Sequence, residues 1–221
     1  MSKVFILGST GLVGSHLLTQ LSEASNVAQL FTVSRRAPKL ESPKLVATIE
    51  PDSKKWLVPT DKGIDTYISA FGTTRADAGG ATQFIEIDHG INYALAKLAK
   101  EAGIKRVVLV SSMGANANSW FLYPKTKGQL EKDILDLGFE ETIIVRPGML
   151  LGARDKKKPF MNDIGLFLCK TPLSRFLHPI EGSDVAKAIG ILLNKDHVTD
   201  GLSKPVVTIV EPADLIKLAK A

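Results

Sequence analysis

The sequence predicts a single-domain α/β fold, a doubly wound parallel sheet, and three observations predict it. Short β-rich apolar runs recur at Val4 to Leu7, Gln29 to Val33, Tyr67 to Ala70, Val107 to Val110, Thr142 to Val145 and Val206 to Val210, most of them followed by helical periodicity. Such alternation calls for parallel strands joined by crossover helices. Several of the runs are apolar without a break, as strands covered on both faces must be. Finally, a glycine-rich turn follows the first run directly, within a chain whose 221 residues suit one domain with a full core.

The first run starts close to residue 1, so no cleavable presequence is expected ahead of it. Gly8-Ser9-Thr10-Gly11-Leu12-Val13-Gly14 comes next and opens a helix that continues through His16, Leu17, Leu18 and Leu21. Gly8 permits the sharp turn, Gly11 lets backbone approach a diphosphate, and Gly14 lets helix and strand pack closely. The helix N-terminus then offers free N–H groups and a positive dipole end to an anion. The pattern departs from G-x-G-x-x-G, because position 9 is serine, but its place between a strand and a helix is the one a Rossmann-type dinucleotide site requires. A purely structural glycine turn is the competing reading.

After the second run, where a carboxylate normally holds the adenosine ribose hydroxyls, the chain reads Ser34-Arg35-Arg36. Two guanidinium groups and no carboxylate suit a 2′-phosphate, so NADP(H) is expected over NAD(H). The bland alternative is an exposed basic loop. Phe84, Ile87, Ile91, Leu95 and Leu98 then predict one amphipathic helix that ends at Gly103 with a left-handed cap. Asp88 and His89, early in that helix, are read as a capping pair.

The run at Arg106 to Val110 ends in Ser111-Ser112-Met113-Gly114, and Tyr123-Pro124-Lys125-Thr126-Lys127 lies shortly beyond. Tyr123 and Lys127 are four apart and share one face of a helix. A nearby ammonium favours the phenolate, so the pair can move a proton at neutral pH. A second Tyr-x-x-x-Lys, Tyr93 to Lys97, has no serine-rich strand end upstream and is read as helix surface. Pro124 fits best at the first helical position, which would make Tyr123 the residue that starts the helix. Trp120, Phe121 and Leu122 suit core packing or an apolar pocket wall. Beyond Thr199 the chain turns polar, and a last strand and short helix form the sheet's edge.

Composition narrows the remaining classes. The chain is 44% hydrophobic and 23% charged with a net charge of +5, and no apolar run approaches the roughly 18 residues that span a bilayer. Its basic residues are scattered except at Arg35-Arg36 and Lys156-Lys157-Lys158, so no nucleic-acid partner is expected. Cys169 is the only cysteine, His16, His178 and His197 lack ligand partners at useful spacing, and no metal site is expected.

These motifs resemble the short-chain dehydrogenase/reductase superfamily in its atypical branch. Thr73-Thr74-Arg75-Ala76-Asp77-Ala78-Gly79-Gly80, Ile87-Asp88-His89, Leu109-Val110-Ser111-Ser112-Met113-Gly114-Ala115 and Arg146-Pro147-Gly148-Met149-Leu150-Leu151-Gly152 look like the fungal mitochondrial-associated oxidoreductases related to the human Tat-interacting protein. The resemblance covers nearly the whole chain, is strongest from Thr73 to Arg154 and loosens after Lys156. It implies an NADP(H)-binding Rossmann domain over 1–221, with a small substrate-side region at about 152–221. Tyr123 is then the proton donor, Lys127 holds the nicotinamide ribose, and Ser112 orients a carbonyl, with Ser111 as the fallback. Phe71-Gly72-Thr73, Ser111, Pro147 and Gly148 join the glycine turn, Arg35 and Arg36 as cofactor contacts. The variable segment Gly152 to Ile180 lines the pocket, and Pro179 to Ala186 enters a structural helix beneath it.

The resulting expectation is an NADPH-dependent reductase of a carbonyl or enone; the alternative is an NADPH-binding regulator or scaffold with a protein partner and little turnover. Monomer and homodimer both fit. The resemblance places the chain in the cytosol, or facing it as a peripheral protein of the mitochondrial outer membrane.

Overall fold

The structure is a computed structural model that describes residues 1–152, 177–194 and 205–221. Its strands are β1 (Ser2–Leu7), β2 (Val27–Ser34), β3 (Leu45–Ile49), β4 (Thr66–Ser69), β5 (Arg106–Val110), β6 (Glu141–Val145), β7 (Leu150–Leu151), β8 (Ile180–Glu181) and β9 (Val206–Val210). Seven of them form a parallel sheet in the order β3-β2-β1-β4-β5-β6-β9, while β7 and β8 pair separately. All six expected runs are strands of this sheet, and β3, β7 and β8 are additional. The expectations for Lys156 to Lys158, Cys169, His197 and most of the pocket segment fall outside the described residues.

Period-two alternation divides each central strand between two cores. Val4 and Ile6 of β1 pack with helices α1 (Leu12–Glu23), α6 (Gly182–Leu193) and α7 (Pro212–Lys220) on one face. Phe5 and Leu7 pack with α4 (Asn92–Glu101) and α5 (Leu122–Asp136) on the other. Among the described residues the outer strands have one neighbour each, and they expose side chains: Val46 and Ile49 of β3, Val207 and Ile209 of β9. The last strand is an edge, as expected.

The helix expected as continuous is interrupted. The short α2 (Arg75–Ala78) and α3 (Ala81–Ile85) lead into a π-helical segment, Glu86–Ile91, before α4. A π turn carries an extra residue and so rotates everything after it. The buried stripe therefore runs through Phe84, Asp88, Asn92, Leu95, Ala96 and Ala99, with Ile87, Ile91 and Leu98 only half-buried. Asn92 Nδ2 supplies donors at the widened turn, to the Ile87 carbonyl at 3.2 Å and the Asp88 carbonyl at 3.1 Å. The expected left-handed cap stands at Gly103, φ +81°.

Tyr67 lies in the second core, stacked on Phe5 with centroids 5.7 Å apart. Burial pushes its phenol far above the ordinary ionisation range. The folded state thus keeps a proton that the unfolded chain releases above about pH 10, and stability should fall from there upward by up to about 1.4 kcal/mol per pH unit. Urea denaturation between pH 9 and pH 11 checks this; Tyr67→Phe should flatten the slope, and an unchanged slope would assign the alkaline loss elsewhere.

Candidate active site

A cleft of about 810 Å³ opens at the carboxyl ends of the strands, where the sheet order reverses between β1 and β4. Open α/β sheets bind ligands at this switch point. Gly8, with φ +85°, turns the chain out of β1 so tightly that a Cβ there would lie 2.6 Å from the Ala70 carbonyl oxygen. Gly11 N donates to the Gly8 carbonyl at 2.9 Å, and Gly11 becomes the N-cap of α1 without any side-chain cap. The first-turn amides of α1 therefore face the cleft with no internal substitute for an anion. Ser9 is buried and its hydroxyl shares a 2.6 Å hydrogen bond with that of Thr32, which ties the loop to β2. Gly14 stands behind the loop; a Cβ on it would meet the Gly8 oxygen at 2.1 Å.

Arg35, Arg36 and Lys39, all exposed, line the cleft from the loop after β2. Opposite the glycine turn, Phe71, Gly72 and Thr73 follow β4, with Phe71 edge-on to Trp56 at 5.5 Å.

The third wall comes from β5 and α5. Ser111, 6% exposed, lines the cleft, and its Oγ has no hydrogen-bond partner among the described residues. Ser112 is not part of the lining; its hydroxyl lies 3.4 Å from the Met113 carbonyl. Leu122 is the first residue of α5, so Tyr123 is the second and Pro124 the third. Pro124 thus stands two positions later in the helix than the expected first position. Pro124 is still tolerated, since a third-position N–H has no intrahelical acceptor. The ring of Tyr123 stacks on Phe84 with centroids 5.7 Å apart, and Lys127 Nζ lies 6.0 Å from the Tyr123 centroid. At Gly128 the loop after β5 crosses the helix so closely that a Cβ would lie 2.2 Å from Ala117 N. Arg146 fixes the end of β6 through a two-bond fork on Glu131, 3.0 and 2.6 Å, and a 2.6 Å contact to Glu211. The Glu131 carboxylate is the main cause holding that guanidinium in its charged form.

Asp88 is the residue that sequence reasoning misplaced. It is not a helix cap: fully buried, it meets Lys127 Nζ at 2.6 Å through Oδ1 and accepts the Thr73 N–H at 2.7 Å through Oδ2. His89 is no cap either, pairing with Asp133 at 2.7 Å and stacking on Tyr93. Tyr93 is half-buried against the second core, whereas Lys97 is on the surface as expected. Trp120 and Phe121 are 100% and 77% exposed, so neither is core. Pro147 and Gly148 are not part of the lining; a Cβ on Gly148 would strike the Leu177 and His178 carbonyls, which makes it a packing glycine. The helix after Pro179 is structural as expected, with Gly182 against the Leu12 backbone. All other expected cofactor residues, Gly14 apart, line this one cleft.

The sheet order, the glycine turn and the cleft define a Rossmann-type dinucleotide-binding protein, and a family model described as NAD(P)H-binding matches residues 8–195. The chain belongs to that family, and within it to the group of fungal proteins named FMP52, mitochondrial. It is 46% identical over 224 residues to "Protein FMP52, mitochondrial" of Debaryomyces hansenii, covering 98% of each chain. It is 47% identical over 226 residues to the protein of the same name from Candida albicans, again covering 98% of both. Among solved structures, MoeE5 in complex with UDP-glucose and NAD is similar with a TM-score of 0.67 and 17% identity, over 95% of this chain and 75% of that one. UDP-glucuronic acid 4-epimerase from Bacillus cereus in complex with NAD has a TM-score of 0.67 at 13% identity, over 95% and 76%. Likeness at these identities concerns the fold.

Proposed function

We propose that this chain is an NADPH-dependent oxidoreductase that reduces a carbonyl or enone. The observation that carries the reading is the convergence on one cleft of an uncapped helix N-terminus, two guanidinium groups and the Ser111, Tyr123 and Lys127 side chains. These residues fit the dinucleotide: first-turn amides of α1 for the diphosphate, Arg35 and Arg36 for the 2′-phosphate, Lys127 for the nicotinamide ribose. Bound there, NADPH supplies a hydride. Tyr123 gives its phenolic proton to the nascent alkoxide. Ser111, whose free hydroxyl lines the cleft, takes the carbonyl-orienting role first assigned to Ser112.

Titration with NADPH and NADH by nucleotide fluorescence tests the cofactor assignment. Arg35→Ala should weaken NADPH by about tenfold, the worth of a charge-assisted contact, and NADH by less than about twofold. Equal weakening would remove Arg35 from 2′-phosphate recognition, and no binding of either nucleotide would end the reductase reading.

Exposure of Trp120 and Phe121 favours a second reading, a nucleotide-dependent scaffold whose partner or membrane surface covers these rings. Tight NADPH binding with no turnover across a carbonyl panel would favour it. The names of the yeast relatives support a mitochondrial site, and within it we propose the cytosolic face of the outer membrane; no helix among the described residues is long and apolar enough to cross a membrane. Carbonate extraction and protease treatment of intact mitochondria distinguish a peripheral outer protein from an internal one.

A further inference from the structure

The buried pair of Asp88 and Lys127 has a place in this cleft that the tyrosine and lysine alone do not explain. Lys127 Nζ sits in the floor of the site, its side chain 6% exposed, and Asp88 is 0% exposed beneath it. An ammonium so deeply buried needs a counter-charge. Asp88 Oδ1 supplies one at 2.6 Å, and among the described residues it has no hydrogen-bond partner that competes. The second oxygen is committed differently, accepting the Thr73 amide at 2.7 Å, so the same carboxylate ties the loop after β4 to the lysine. Room for the pair comes from Gly72, where a Cβ would lie 3.0 Å from Asp88 Oδ1 and 3.2 Å from Lys127 Nζ. Asp88 lies on the buried stripe of its helix, four residues from both Phe84 and Asn92, which are buried with it.

We propose that Asp88 is the positioning residue for Lys127, holding its ammonium at one point of the cleft floor so that it meets the nicotinamide ribose. This rests on the cofactor site proposed above. Asp88 acts through Lys127 and not on the adenosine half, which lies toward Arg35. Its loss should therefore separate ligands that reach Lys127 from ligands that do not.

Asp88→Asn is the informative variant, because its amide oxygen still accepts the Thr73 N–H while the charge facing Lys127 is gone. Titrated with NADPH and with 2′,5′-ADP, which has no nicotinamide ribose, it should lose about fivefold or more in NADPH affinity and less than about twofold for 2′,5′-ADP. Placed in a Lys127→Met background, Asp88→Asn should add less than about twofold. Equal weakening of both ligands, no weakening of either, or full additivity with Lys127→Met overturns the proposal. If Asp88→Asn alone does not fold, the double variant, which leaves no buried charge over, is compared with Lys127→Met: equal NADPH affinities support the proposal and a further loss overturns it. Wild type that binds neither ligand is a different result, since it removes the cofactor site itself and this inference with it.

Discussion

Replacing Tyr123 by phenylalanine should lower carbonyl reduction by about 10²- to 10⁴-fold, the range that a positioned proton donor contributes. The ring keeps its place, because its stacking on Phe84 at 5.7 Å does not involve the hydroxyl. The residue is 42% exposed, so the folded state should lose less than about 0.5 kcal/mol. NADPH affinity should stay within about threefold, because the missing interaction is made to the reacting oxygen and the loss falls on kcat. Steady-state turnover over a panel of ketones, aldehydes, quinones and enones, beside a nucleotide titration, measures both quantities. Tyr93→Phe is the internal control: Tyr93 stacks on His89 and Lys97 reaches Glu101 at 3.9 Å, away from the cleft, so turnover should not change. Unchanged turnover in Tyr123→Phe would take this residue out of the chemistry, whereas a wild type that turns over none of the panel would leave the scaffold reading in its place.

What could be read without coordinates divides along physical lines. Unbroken apolar runs and a glycine turn are local signals, and they located β1, β2, β4, β5, β6, β9 and the turn that lines the cleft. β3 was missed although Leu45-Val46-Ala47-Thr48-Ile49 is β-branched enough to suggest it, because an edge strand with four exposed residues follows no burial pattern. Asp88 was missed for a longer-range reason. Helical periodicity at Phe84, Ile87, Ile91 and Leu95 puts position 88, four residues after Phe84, on the same face, but nothing in that periodicity says which charge meets a carboxylate there. Its partner stands at position 127, on another helix. One signal was available: Phe84, Asp88 and Asn92 step by fours, so two polar side chains share the stripe of a buried phenylalanine. That Ser111 lines the cleft and Ser112 does not was likewise not legible in the sequence, since adjacent residues leaving a strand point to opposite sides.

Gly14→Ala should be destabilising although alanine is the better helix former. In an open helix interior the change would gain about 1 kcal/mol. Here the new Cβ would stand 2.1 Å from the Gly8 carbonyl oxygen and 2.7 Å from its carbon, and both neighbours are backbone that cannot rotate away. The same oxygen accepts the Gly11 N–H that closes the turn, so relieving the clash means moving α1 off β1. Overpacking of this kind costs about 1–3 kcal/mol or somewhat more. For a chain of this size it lowers the midpoint of thermal unfolding by roughly 4–10 °C. The shift moves the first-turn amides away from where a diphosphate would lie, and NADPH affinity should drop by about tenfold or more, well beyond what the stability change alone imposes. Gly90→Ala is the matched control: it too is helical, its nearest contact is Glu86 Cγ at 4.0 Å, and it should be neutral or slightly stabilising. Thermal unfolding and nucleotide titration on both variants decide the point. A Gly14→Ala protein that melts and binds like wild type would mean that the contact between α1 and the turn is looser than drawn, and the amides at α1 would lose their standing as a preformed anion site.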